Sequence, residues 1–313
     1  MDNPMVKRAL AVVAALAVVA VAAAAVVALL GGIGPRPAVG APVAGRIEVD
    51  QERSLPLDGA RRIEIDVVSS DVTVTESADG AAHAHLHGTV SSSRGVAPEL
   101  IAATQGGTAS IRVDHRGPAV VPNWYRADLA LEVAIPKGFR GDLVIHGVSS
   151  DVELPSGRTF AALEVTTISG AIDLGAFTAD SFKGRTVSGD LEAQAASAAS
   201  VELGSTSGRI TVGGLTGSLS GRTISGDMHL EWKAFSGSID VSSTSGSVTL
   251  GIPAGSGFRL DAGSTSGRIT SDHPVAVRGS GSGPGRRSLA GDVGSGAGSV
   301  RVRTISGEIR IAM

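Results

Sequence analysis

Glu153, Asp173 and Glu192 recur at intervals of 20 and 19 residues, each three positions after a Ser-Ser or Ser-Gly pair. If that interval is the period of a stacked fold, the three carboxylates stand one above another. Like charges directly opposed across strands destabilise a sheet. A divalent cation relieves such a stack, because carboxylate oxygens are hard ligands suited to Ca²⁺. Solvent screening and splayed side chains relieve it too, and need no ligand. Paired carboxylates on a stacked sheet also raise glycoside cleavage. Against that, aromatic residues are 3% of the chain, few for stacking on sugar rings. Trp124, Tyr125 and Trp232 are the candidates for such a platform, with packing or capping as the plainer role.

His83, His85 and His87 alternate with Ala84 and Leu86, so on a strand all three imidazoles leave the same face. Such a face has the donors for a transition metal. The plainer reading turns Ala84 and Leu86 inward and leaves the histidines solvated. No other pattern carries chemistry. The sequence has no Gly-x-Ser-x-Gly elbow, no phosphate loop and no His-Glu-x-x-His, and its Cys count is zero. The expectation is a protein without catalytic residues, cofactor or assigned metal site. Its many Ser and Thr residues fall at turn and ladder positions, where their hydroxyls bond to each other or to backbone.

The elements that position these groups follow from one alignment. The second member of the Ser-Ser or Ser-Gly pair falls at Ser70, Ser150, Gly170, Gly189, Gly208, Gly226, Gly246, Gly267 and Gly307. From Ser150 to Gly267 the steps are 20, 19, 19, 18, 20 and 21, and the final step of 40 reads as two coils with a degenerate one between. Apolar residues recur two after the pair (Val72, Val152, Ile172, Leu191) and seven before it (Ile63, Leu143, Leu163, Phe182). Columns four after and five before are mostly apolar as well. Each unit is strand, corner, strand, with period-two alternation on both sides. Gly at the corner provides either positive φ or close backbone approach. One such unit cannot bury its own apolar face, but stacked copies at about 4.8 Å can. The fold class is therefore all-β, a β-solenoid resembling a parallel β-helix with coils of about 20 residues. A sandwich or propeller of the same units is the alternative.

Charge decorates the outward columns. One position after the pair, Asp190, Arg209 and Asp227 alternate in sign; six before it, Glu164, Lys183 and Glu202 do so. Both series predict ion pairs between coils, each about 0.2–1 kcal/mol. The terminal strand Thr304–Ile311 is expected to leave an edge protected by Arg301, Arg303 and Arg310.

Upstream of the repeat the chain changes character. Lys7 and Arg8 precede an uncharged apolar run over residues 9–33, long enough to span a bilayer core. The run exceeds the apolar region of a signal peptide, so a transmembrane anchor is favoured over a cleaved signal. The basic pair predicts residues 1–8 in the cytoplasm and the rest outside, a single-pass cell-membrane protein. Residues 34–60, rich in Pro, Gly and Ala, read as a linker. Residues 61–313 read as the solenoid, irregular over 61–140 and regular over 141–313. A net charge of −3 gives no broad reason to expect nucleic acid as partner.

Together these residues resemble the bacterial putative-adhesin family of β-strand-repeat proteins, a domain of unknown function, with the head GIN domain as a looser relative. The resemblance is carried by Val68-Ser69-Ser70-Asp71-Val72 and its echo at Val148 to Val152. Leu131 to Pro136 with Gly138, the repeated Thr-x-Ser-Gly-x-apolar pattern and the stretch from Ser288 to Ile311 complete it. It spans residues 60 to 313, implies a surface-exposed solenoid with an adhesion role, and brings no catalytic residues. The function expected is a non-catalytic, membrane-tethered binding module for cell-envelope polymer, carbohydrate or protein. An envelope-stress regulatory ectodomain is the alternative; with eight residues before the apolar run, it would need a partner in the membrane or outside it. A polysaccharide-active enzyme is the remote third.

Overall fold

The computed structural model describes residues 45–92, 97–114, 125–279, 282–283 and 286–313. The expected anchor over 9–33 and Trp124 lie outside them. Among the described residues every regular element is a strand. The amino-terminal group is β1 (Gly45–Pro56), β2 (Arg62–Asp66), β3 (Asp71–Ser77), β4 (Ala81–Ser92), β5 (Glu99–Gln105), β6 (Thr108–Asp114) and β7 (Tyr125–Pro136). The regular group is β8 (Asp142–His146), β9 (Val152–Leu154), β10 (Arg158–Thr166), β11 (Ile172–Arg185), β12 (Leu191–Ser205), β13 (Ile210–Leu215), β14 (Ser218–Thr223), β15 (Met228–Trp232), β16 (Ser238–Ser243) and β17 (Val248–Gly251). The closing group is β18 (Phe258–Ser264), β19 (Ile269–Ser271), β20 (Ala276–Gly279), β21 (Ser282–Gly283), β22 (Arg286–Val293), β23 (Gly298–Thr304) and β24 (Ile309–Ala312).

The strands stack into two parallel walls that meet at the Ser-Gly corner. The first wall, before the corner, runs β6, β2, β8, β10, β11, β12, β14, β16, β23, β18. The second, after it, runs β7, β3, β9, β11, β12, β13, β15, β17, β24, β19. The long β11 and β12 serve the second wall of one coil and the first wall of the next. The apolar columns expected from spacing face inward and are buried almost throughout, for example Val72, Val152, Ile172, Leu191, Ile210, Met228, Val248 and Ile309. Where the column five before the corner holds Gly184, a Cβ would stand 2.5 Å from Leu191 Cδ1 and 3.0 Å from Phe182 Cζ. Leu191 and Phe182 together fill the volume that side chain would take, which keeps the interior close-packed.

The corner explains the glycines. None of the corner glycines has positive φ. A Cβ on Gly170, Gly189, Gly208, Gly226, Gly246, Gly267 or Gly307 would instead lie between 1.7 and 2.1 Å from a carbonyl oxygen of the adjacent coil. Close stacking of backbone on backbone is what excludes a side chain there. Three residues before each of these glycines stands a buried hydroxyl: Thr167, Thr186, Ser205, Thr223, Ser243, Ser264 and Thr304. The N–H of Gly189, Gly226, Gly267 and Gly307 donates to the hydroxyl of its own corner at 2.7–3.0 Å. The hydroxyl thereby replaces a ladder bond that the tight turn cannot make.

Both ends depart from chain order. Coil β2/β3 lies between β6/β7 and β8/β9, and antiparallel β4, β1 and β5 extend the walls beyond. Residues 45–56, read as linker, are strand β1, which pairs with β4 along its length. An edge strand needs one apolar face, and Val49 and Leu55 are the buried members of it. At the other end, the described residues of the 40-residue step form no degenerate coil. The chain passes through coil β18/β19, reverses through the antiparallel β20–β22 segment, and returns to insert β23/β24 one coil earlier. The carboxy-terminal strand is therefore internal: β24 pairs with β17 on one side and β19 on the other. His273 staples this insertion, its Nε2 lying 3.1 Å from Ile252 O and 3.2 Å from Ala312 O.

Candidate functional site

The outward face of the second wall carries one polar column through nearly every coil. In spatial order it reads Glu52, His85, Glu132, Thr73, Glu153, Asp173, Glu192, Thr211, His229, Thr249 and Arg310. Parallel pairing without register shift holds Glu153, Asp173 and Glu192 directly opposite one another, as their spacing predicts. All three are exposed. They stand in file and do not converge into a ligand trio. Exposed carboxylates about 4.8 Å apart can accept hydrogen bonds from successive hydroxyl or amine groups of an extended partner.

The amino-terminal end of the column is the denser part. Antiparallel β4 and β7 set Glu132 opposite His85, and the ligand atoms of His85, His87 and Glu132 lie within 4.8 Å of one another. The two imidazole centres are 4.9 Å apart, and His87 Nε2 is 3.6 Å from Glu132 Oε1. His85 Nε2 bonds Asp50 Oδ1 at 2.7 Å. His83 leaves the group for Asp79, 2.9 Å away. Bonds from His83, the Ala81 N–H and Ser77 hold the Asp79 carboxyl down to a pKa of about 2. Glu132 and Glu52 escaped the spacing argument, since Glu132 belongs to a coil without a Ser-Gly pair and Glu52 to the presumed linker. The signal for Glu132 was its outward place between Leu131 and Val133. A second group, Glu64, Asp66 and His146, gathers on the first wall, with Asp66 also 3.3 Å from Arg112.

The expected charge alternations resolve differently. Asp190 and Asp227 do not pair with Arg209. Each accepts a backbone N–H of the next coil instead, from Arg209 and Ser247, both at 2.8 Å. Asp71 and Asp151 do the same for Asp151 and Ala171. A short acidic side chain beside a tight corner reaches the neighbouring amide more readily than a long flexible guanidinium. In the other series Glu164 pairs with Lys183, but Glu202 takes Arg185 rather than Lys183.

Two aromatic and cationic side chains are structural. Trp232 is buried, its indole N–H donating to Gly217 O at 3.2 Å. Arg158 is buried in the coil interior, donates to the carbonyls of Ile135 and Pro136, and lies 5.7 Å from the Phe160 ring centre. Burial pushes its pKa below the usual guanidinium value. A depression of about 350 Å³ at the corner beside Ser69, Asp71, Asp128 and Ser149 is open to solvent. It holds no nucleophile–base pair.

A family model described as Toastrack DUF4097 matches residues 60–312. No curated protein matches the sequence. Among solved structures, a putative adhesin from Bacteroides fragilis NCTC 9343 is 14% identical, covering 86% of this chain and 98% of its own, with a TM-score of 0.46. A putative adhesin from Parabacteroides distasonis ATCC 8503 is 12% identical, covering 84% and 97%, with a TM-score of 0.45. A putative lipid binding protein from the same organism is 16% identical over 84% and 97%, with a TM-score of 0.39.

Proposed function

The chain belongs to the Toastrack DUF4097 family, and we propose that it works as a non-catalytic, membrane-tethered binding module at the cell surface. The observation carrying this reading is the polar column of the second wall. Its side chains are exposed, held in register by backbone ladders, and repeat at the spacing of the coils. Such a surface meets an extended, repeating partner at many weak points rather than gripping one small molecule. Multivalency of that kind raises avidity without any deep pocket. The partner class is a cell-envelope polymer, a carbohydrate or an envelope protein rich in hydroxyl or amine donors. The apolar run over residues 9–33 provides the tether, and residues 1–8 remain on the cytoplasmic side.

The test is a glycan array and a sedimentation assay with isolated cell wall, using the full-length chain in detergent. The reading predicts saturable binding of an intact polymer. Release of soluble sugar fragments, abolished by Glu153→Gln or Asp173→Asn, would replace it with an enzyme. Absence of binding to wall, glycans and envelope proteins, with loss of an envelope-stress response on deletion, would favour a regulatory ectodomain.

A further inference from the structure

We propose that His85, His87 and Glu132 form a binding site for a divalent transition metal ion, of the class Zn²⁺, Cu²⁺ or Ni²⁺. The chain builds the donors into rigid backbone. A His-x-His step on β4 sends both imidazoles from one face. The antiparallel register of β4 on β7 then sets Glu132 directly opposite His85. All three ligand atoms already lie within 4.8 Å of one another. Ligand bonds of about 2.0–2.2 Å around a tetrahedral ion bring donors to roughly 3.5 Å apart. Each of these side chains is about half exposed, so a rotation of about 1 Å closes that difference without disturbing the core.

Two further observations favour a metal over a plain ion-pair cluster. Asp50 reaches across from β1 to His85 Nε2 at 2.7 Å. A carboxylate only accepts, so Nε2 is the donor in this bond, and in the neutral ring the lone pair is on Nδ1. That outer carboxylate is the partner that orients a ligating imidazole in metal centres. The third histidine is removed from the group by Asp79, so the donor set is two nitrogens and one oxygen. Imidazole with a single carboxylate suits Zn²⁺, Cu²⁺ and Ni²⁺ and is a poor set for Ca²⁺ or Mg²⁺. Three protein ligands leave a coordination position open toward solvent. His85 and Glu132 also belong to the polar column, but metal uptake is measured without polymer and polymer binding without added metal, so either reading can fail alone.

The experiment uses the tag-free, full-length chain in detergent, titrated calorimetrically with Zn²⁺ and examined with Cu²⁺ by pulsed electron paramagnetic resonance. The expected result is one equivalent bound, unaffected by millimolar Ca²⁺, with two imidazole nitrogens on Cu²⁺. His85→Ala and His87→Ala each weaken binding at least about tenfold and reduce the nitrogen count to one. Asp50→Asn weakens it about tenfold with the count unchanged. His83→Ala and His146→Ala leave it as it is. Metal-free thermal unfolding confirms that each variant is folded. No saturable uptake, uptake surviving the His85→Ala/His87→Ala double variant, or uptake lost in His146→Ala would overturn the proposal.

Discussion

Gly189→Ala isolates the feature on which the stacking depends. A Cβ at this position would lie 1.7 Å from Gly170 O and 2.5 Å from Gly170 C. Ordinary contact between carbon and oxygen is above 3 Å, so coils must separate by more than an ångström locally. The obstruction is backbone, which cannot rotate aside as a side chain can. On the opposite side, Gly208 packs as closely on Gly189 O, leaving no slack in which to move. Separation also stretches the Ser188 N–H bond to Ile168 O (3.0 Å), which joins this corner to the coil below. Overpacking costs about 1–3 kcal/mol, occasionally more, and the weakened inter-coil bond adds about 1 kcal/mol. Reduced freedom of the unfolded chain returns about 0.4–1 kcal/mol. The net expectation is a loss of about 2 kcal/mol, or roughly 4–8 °C in unfolding temperature. Gly138→Ala is the control: its Cβ meets nothing within 4 Å and its φ is negative. Calorimetric unfolding of both variants checks the reasoning. It is refuted if Gly189→Ala unfolds with the wild type, or if Gly138→Ala falls as far.

Four other outcomes are expected. Thr186→Val keeps the shape but removes the acceptor for Gly189 N–H, and should cost about 1–3 kcal/mol. Ser205→Ala should cost little or stabilise, because its buried Oγ has no protein partner; urea unfolding compares the two. Deleting residues 298–313 removes β23 and β24 from between β16/β17 and β18/β19. It should open the stack internally and expose amides of β17 and β19 together to hydrogen exchange, whereas loss of a terminal edge would leave β17 protected. The Asp79 carboxyl, depressed to about 2, contributes stability fully above its unfolded value near 3.8, and this is lost as pH falls through 2. Carbon-detected NMR titration should find a midpoint near 2, rising toward 3.8 in His83→Ala.

The repeat was legible because its signals are local. Apolar columns such as Ile63, Leu143 and Leu163 follow from period-two alternation, and parallel stacking without slip converts spacing directly into register. The acidic file Glu153, Asp173 and Glu192 was legible for the same reason. What escaped was whatever depends on which coil meets which. The insertion of β24 between β17 and β19 leaves no local mark, since Ile309 fits the column whether it ends the stack or lies within it. β1 was missed because an edge strand needs few apolar residues and Pro56 masked its end. Asp190 and Arg209 looked like an ion pair because sequence gives charge but not reach. The acceptor geometry of a short carboxylate against the next amide is visible only in three dimensions. The His85–His87–Glu132 group required antiparallel pairing of two segments 45 residues apart, which no repeat announces.

The reading of the second wall as the binding face can be tested against the rest of the surface at equal charge. One variant carries Glu153→Gln, Asp173→Asn and Glu192→Gln on that wall; a second carries Glu164→Gln, Glu202→Gln and Asp240→Asn on the first. Both remove three negative charges, so net charge alone cannot separate them. Affinity for isolated cell-wall polymer, measured by equilibrium sedimentation at fixed salt, should fall at least about tenfold in the first variant and hold in the second. Equal loss in both, or a loss confined to the first-wall variant, would contradict the account.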